Sequence, residues 1–130
     1  MLRLVSHLDQ ALKELDALAQ IDKATVLATR ERFAMEQLFY RAAMCCIDLC
    51  YHIVSRNREP VPETYRECFK QLVLSGMIPP ELGAQLEKLA SLRNMIAHAY
   101  ISLDYGLLYD YLNELDELRQ FRDVVISIAA

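Results

Sequence analysis

Between Asp22 and Ser55 the chain contains neither glycine nor proline, so no residue there forces a helix to stop. Val26, Phe33, Tyr40, Ile47 and Val54 recur every seven residues along it, a spacing that keeps them near one side of a helix. The expectation is a single unbroken helix, capped by Asp22 and running to about Ser55. A seam of that length normally packs on more than one neighbour.

The rest of the chain has the same period. Glycine occurs only three times, and no alternating, strand-like run stands out. Leu4, Leu8, Leu12, Leu15 and Leu18 step by three or four, which makes residues 2–19 an amphipathic helix. Residues 56–62 form a loop with two proline stops. A third helix is expected from about Glu63 to Ser75, with Tyr65, Phe69, Leu72 and Val73 inward and Gly76 as its C-cap. Pro79-Pro80 starts a fourth helix with the stripe Leu82, Leu86, Leu89, Leu92 and Ile96, ending near Tyr100. Asp104 caps a last helix carrying Leu108, Tyr111, Leu112, Leu115 and Leu118. The expected fold is all-α: an up-down bundle of about five helices in a single domain spanning residues 1–130.

A chain of 130 residues can bury roughly two-thirds of its unfolded surface and needs no disulfide or metal to fold. Its 54% hydrophobic residues exceed the usual share, which points to a buried surface beyond the core, most simply a subunit interface. Three of the four cysteines (Cys45, Cys46, Cys50) lie close together on one apolar helical stretch, and none forms a C-x-x-C pair with another or with Cys68. They read as small buried hydrophobes in a reducing compartment. No apolar run approaches the ~20 residues of a membrane span, and Met1 to Gln10 lacks an apolar signal core. The expected location is the cytoplasm. With a net charge of -4 and a pI near 5.3, broad electrostatic attraction to nucleic acid is excluded, and any RNA must meet a local cationic patch.

One interval is not what a bundle requires. Residues 93–100 place Arg93, Asn94, His98 and Tyr100 at a helix end. At about 100° per residue, Asn94 and His98 share a face, and Arg93 and Tyr100 share another. His98 lies about 140° around from Arg93, so one helix cannot easily bring both to one substrate. Two copies meeting across a two-fold axis can, with Arg93 of one subunit facing His98 of the other. The residue types suit RNA cleavage by an adjacent 2′-hydroxyl. A histidine takes the hydroxyl proton, and a guanidinium holds the phosphorane oxygens. Asn94 can orient His98 or hydrogen-bond a phosphate oxygen. No metal is required, and no carboxylate cluster would hold one. Around that long helix Lys23, Arg30 and Arg41 fall within about 20° of one another and could guide an RNA backbone, although a solvated face is the better explanation. Arg56 and Arg58 in the loop are a second candidate.

The stretch Leu92-Arg93-Asn94-Met95-Ile96-Ala97-His98-Ala99-Tyr100 resembles the ribonuclease signature of the HEPN superfamily: Arg, a polar residue, a few more residues, then His. The tyrosine two places after His resembles the HepT toxin branch. The Pro-rich turn and Thr64-Tyr65 segment, the turn at Leu74–Pro79 and His52 near the end of the long helix resemble it as well. The similarity covers roughly residues 22–115, and the first helix has no specific match. The resemblance implies a five-helix bundle that dimerises through the motif helix. It implies a metal-independent, cofactor-free endoribonuclease toxin of a toxin–antitoxin pair, acting on RNA (tRNA or mRNA) and not on DNA or membranes. Arg93, Asn94 and His98 would be catalytic. A minimal nucleotidyltransferase antitoxin would silence the toxin by transferring AMP to Tyr100. The alternative is a non-catalytic helical dimer that scaffolds the nucleotidyltransferase or binds a nucleotide.

Overall fold

Leucines at helical spacing need a partner surface, and in the computed structural model each stripe finds one on a single central helix. The structure describes residues 1–56, 60–98 and 103–129. Among these the elements are α1 (Leu2–Ala19), α2 (Lys23–Ala28), α3 (Glu31–Arg56), α4 (Tyr65–Leu74), α5 (Pro80–Ala97), α6 (Tyr105–Tyr111), a 3₁₀ turn (Leu112–Glu114) and α7 (Asp116–Ala129). There is no strand among the described residues. The all-α bundle expected from the sequence is the architecture found.

Helix α3 touches α1, α2, α4, α5 and α6. Twelve of its residues are buried, and Met35, Phe39, Ala42, Cys46, Leu49 and Cys50 are completely inaccessible. Small side chains at Ala42, Ala43, Cys46 and Cys50 let neighbours approach closely, while Phe39 fills the space between them and stacks edge-on against Tyr111. By length and mean hydropathy α3 does reach the range of a membrane span. Its position accounts for that composition, because a helix surrounded by neighbours is apolar on most of its circumference. The four cysteines are free and buried, as expected. Burial pushes the Cys46 thiol up, and the Cys50 thiol is raised first by its contact with the Cys68 thiol and then by burial.

The long second helix is not continuous. Asp22 caps it as expected, accepting from the Thr25 amide at 3.0 Å, but α2 stops after Ala28. Thr29 adopts an extended conformation (φ -125°, ψ 178°). Its hydroxyl donates to the Thr25 carbonyl at 2.8 Å, and its carbonyl receives both the Arg32 amide at 3.3 Å and the Arg32 guanidinium at 2.9 Å. A β-branched residue with a hydroxyl that bonds back to the preceding turn competes with the helix ladder. The seven-residue seam is broken with it, and Phe33 is left half exposed. Helix ends elsewhere lie within two residues of expectation, except that α5 stops at Ala97, three residues before Tyr100. The last helix is likewise interrupted, by the 3₁₀ turn at Leu112–Glu114.

The α4–α5 connection shows why glycine stands where it does. Gly76 has φ +79°, its amide bonds the Val73 carbonyl at 3.0 Å, and the Met77 amide reaches back to Leu72 at 3.0 Å. This pairing is the Schellman arrangement. A β-carbon at Gly76 would meet nothing within 4 Å, so only backbone strain opposes a side chain there. Gly76→Ala is expected to lower stability by about 1 kcal/mol. Urea unfolding should show a lower midpoint with unchanged slope.

Candidate functional site

The leucine stripe Leu82, Leu86, Leu89 and Leu92 is buried and seats α5 against the core. Exposure then rises through the last turn. Arg93, Asn94, Met95 and Ile96 are half-buried, and Ala97 and His98 are exposed. The motif therefore stands where a helix leaves the protein interior. His98 is the first residue past α5, with non-helical angles (φ -111°, ψ 13°). Its amide donates to the Asn94 carbonyl at 3.0 Å.

Three helices converge on the Arg93–Asn94 pair. From α3, Met44 Sδ accepts from Arg93 Nε at 3.3 Å, and the Tyr40 ring lies 5.6 Å from the guanidinium carbon. Tyr40 and Met44 are four residues apart and so share a face of α3. From α5, Asn94 Oδ1 accepts from an Arg93 terminal nitrogen at 3.0 Å. From α4, Tyr65 Oη accepts from Asn94 Nδ2. Tyr65 is placed by the start of its helix. Thr64 is the N-cap and accepts from the Glu67 amide at 3.1 Å, while the Glu67 carboxylate accepts from the Glu63 amide at 3.2 Å. Side chain and backbone thus hold each other much as in a capping box.

The electrostatics of the cluster are one-sided. Among the described residues the partners of Arg93 are neutral: a thioether, an amide and an aromatic face. No carboxylate pairs with it among the described residues, whereas Arg119 pairs with Asp16 and Asp116, and Arg122 with Asp9 and Asp123. A guanidinium carries five N–H donors, and two of these are engaged here. The remaining donors form a fork suited to an oxyanion. Among the described residues no group of three or more His, Cys, Asp or Glu is placed to hold a metal ion.

The structure thus joins Arg93 to Asn94 through their side chains. It links Asn94 to His98 through the backbone: the Asn94 side chain serves Arg93 and Tyr65 rather than the imidazole. Tyr100 lies outside the described residues, as does Arg58. The expected cationic stripe on one helix does not exist. Lys23 sits on α2 and pairs with Asp110 at 2.9 Å, and Arg30 falls in the break before α3. Arg41 opens on a cleft of about 440 Å³ between α1 and α3 that it shares with Glu14 and Glu31. Sequence reasoning placed Tyr40 and Tyr65 on apolar stripes and assigned no role to Met44. Both tyrosines are only half-buried. The available signal was chemical, since a tyrosine on a core stripe needs a partner for its hydroxyl.

Comparison with known proteins follows the same lines. An mRNA nuclease HepT from Shewanella oneidensis is 29% identical over 86 residues, covering 65% of this chain and 65% of that protein. The match thus spans just under two thirds of the relative's length. A chain of the solved structure of a tri-AMPylated Shewanella oneidensis HEPN toxin in complex with MNT antitoxin superimposes with a TM-score of 0.87 at 21% identity, covering 97% of this chain and 96% of that one. A chain from a toxin–antitoxin structure with AMP-PNP gives 0.85 at 21% identity, with 95% of each chain covered. At such identities these two likenesses establish the fold. The family described as ribonuclease HepT-like matches residues 8–125, which include the whole α5 cluster, and the chain belongs to that family.

Proposed function

We propose that this chain is the toxin of a toxin–antitoxin pair and a metal-independent endoribonuclease. The observation that carries the reading is the half-buried Arg93 guanidinium, held by neutral groups and unpaired with any described carboxylate, five residues before His98. A cation in that setting is completed by an anion from outside the chain. The phosphodiester of RNA supplies one next to a nucleophile. His98 takes the 2′-hydroxyl proton, O2′ attacks phosphorus, and the P–O5′ bond breaks with protonation of the departing O5′. The products are a 2′,3′-cyclic phosphate and a 5′-hydroxyl. Arg93 stabilises the charge on the phosphorane oxygens, and Asn94 keeps its donors aimed. The substrate class follows from the nucleophile: RNA, as tRNA or mRNA, with DNA lacking the attacking group. Lys23, Arg30 and Arg41 are all exposed and remain candidate backbone contacts, now as separate sites.

The angle of about 140° between Arg93 and His98 around the helix end supports a two-fold homodimer as the active unit. Arg93 of one protomer works with the partner's His98, so each dimer has two composite sites. Arg93→Ala and His98→Ala should each abolish cleavage, with a loss of ~10²-fold or more in rate. Mixing the two inactive variants should restore activity, because one site of the mixed dimer keeps both groups intact. Cleavage of a labelled RNA in EDTA, with end-group analysis for the cyclic phosphate, checks this. Recovery of no activity on mixing would place both groups in one protomer. Cleavage that survived both substitutions would place the active site elsewhere and leave a non-catalytic partner of the nucleotidyltransferase as the better reading.

The antitoxin is a minimal nucleotidyltransferase, and its target is Tyr100, two residues beyond His98. An attached AMP adds a phosphodiester with about one negative charge, which competes with RNA for Arg93. The nucleoside blocks the approach sterically. Tyr100→Phe should remain toxic in the cytoplasm and escape silencing by modification. Intact-mass measurement after incubation with nucleotidyltransferase, ATP and Mg²⁺ is the check. An equal mass gain on wild type and Tyr100→Phe would remove Tyr100 as the target.

A further inference from the structure

An asparagine side chain has two ends of similar shape and opposite hydrogen-bonding sense. Asn94 can serve Arg93 only with Oδ1 toward the guanidinium. Rotated by 180°, it would present Nδ2, and donor would face donor. Something must therefore select the orientation. Arg93, a donor only, makes that choice, but its long side chain is itself the group that needs holding. The other end of the amide is what fixes its place: Nδ2 donates to Tyr65 Oη, a group on a different helix.

Tyr65 is suited to this by its own anchoring. It occupies the first position of α4, directly after the Thr64 cap, and its ring is half-buried against the core. Its hydroxyl is consequently carried on a rigid lever of two side-chain torsions. The chain of contacts runs Tyr65 (α4), Asn94 (α5), Arg93 (α5), then Met44 and Tyr40 (α3). It spans the three helices that meet at the motif. We infer that Tyr65 is a positioning residue: it anchors the Asn94 amide in place and, through it, fixes the direction of the Arg93 guanidinium. This inference deepens the ribonuclease reading and rests on it.

The consequence is specific. Removing the hydroxyl while keeping the ring leaves packing intact and Nδ2 without its partner, so Asn94 can turn and Arg93 loses its aim. The deficit appears in the chemical step, since Arg93 acts most strongly on the transition state. Tyr65→Phe should lower kcat by about tenfold, the scale of one neutral hydrogen bond, with KM nearly unchanged. Asn94→Ala should lower kcat at least as much. In the Asn94→Ala background, Tyr65→Phe should cost nothing further, because the two act through one contact.

The experiment uses the purified full chain and a fluorophore–quencher single-stranded RNA oligonucleotide, with the four proteins of this cycle compared. In parallel, the Asn94 side-chain amide is followed by NMR, and its signals should move in Tyr65→Phe. Unchanged kcat in Tyr65→Phe, an undiminished further loss in the Asn94→Ala background, or unmoved amide signals would each overturn the inference. A purely structural tyrosine would instead lower the melting temperature and leave the coupling at zero. If wild type leaves RNA intact, the ribonuclease reading itself fails. The amide signals then decide by themselves whether Tyr65 holds Asn94.

Discussion

The burial of α3 is the constraint on which the remaining helices depend. Its neighbours each present an apolar stripe, and none of those stripes is broad enough to form a core alone. Against α3 they close over Phe39, Leu49, Cys46 and Cys50, all of them inaccessible. The same helix supplies Tyr40 and Met44 to the functional cluster. The motif arginine is thus packed directly on the element that organises the core. A change in how α5 sits against α3 would displace the guanidinium, which couples the precision of the site to the integrity of the bundle.

Electrostatic neighbourhoods divide the arginines by purpose. Arg119 and Arg122 lie on α7 and reach the α1 carboxylates Asp16 and Asp9. Both are held above their ordinary proton affinity, chiefly by those carboxylates. They are partly exposed, so their contribution to stability is small, and they act mainly to register one helix against another. Arg93 is treated differently. It is half-buried, cradled by sulfur, amide and ring, and no described carboxylate quenches it. Folding gains little from leaving a cation so incompletely satisfied. An oxyanion from outside the chain would complete it.

The break at Thr29 bears on the same question of where charge is placed. A continuous helix would have lined up Lys23, Arg30 and Arg41 as one basic ridge. The actual chain turns at Thr29, and Lys23 is drawn toward Asp110 on α6. With a net charge of -4 and no such ridge on one helix, attraction for a phosphate rests on local points such as Arg93.

Periodicity alone determined that the chain is helical, where α1 and α4 lie to within two residues and α5 to within three, and that the α5 leucines are buried. A stripe repeating at 3.6 residues has few other ways to leave water. The motif Arg93-Asn94 with His98 was also legible, because those residue types serve no need of a bundle interior. What the sequence could not determine was the interruption at Thr29. Threonine is tolerated inside helices, and whether its hydroxyl bonds back to the preceding turn depends on what α2 packs against. Nor could it pair Asn94 with Tyr65, because the two are 29 positions apart and meet only when α4 and α5 fold together. The same holds for Met44 and Tyr40 around Arg93. Spacing along one helix assigns a residue to a face. Which side chains meet across that face is decided when the helices pack, since contacts between elements are made by close packing rather than by position in the chain.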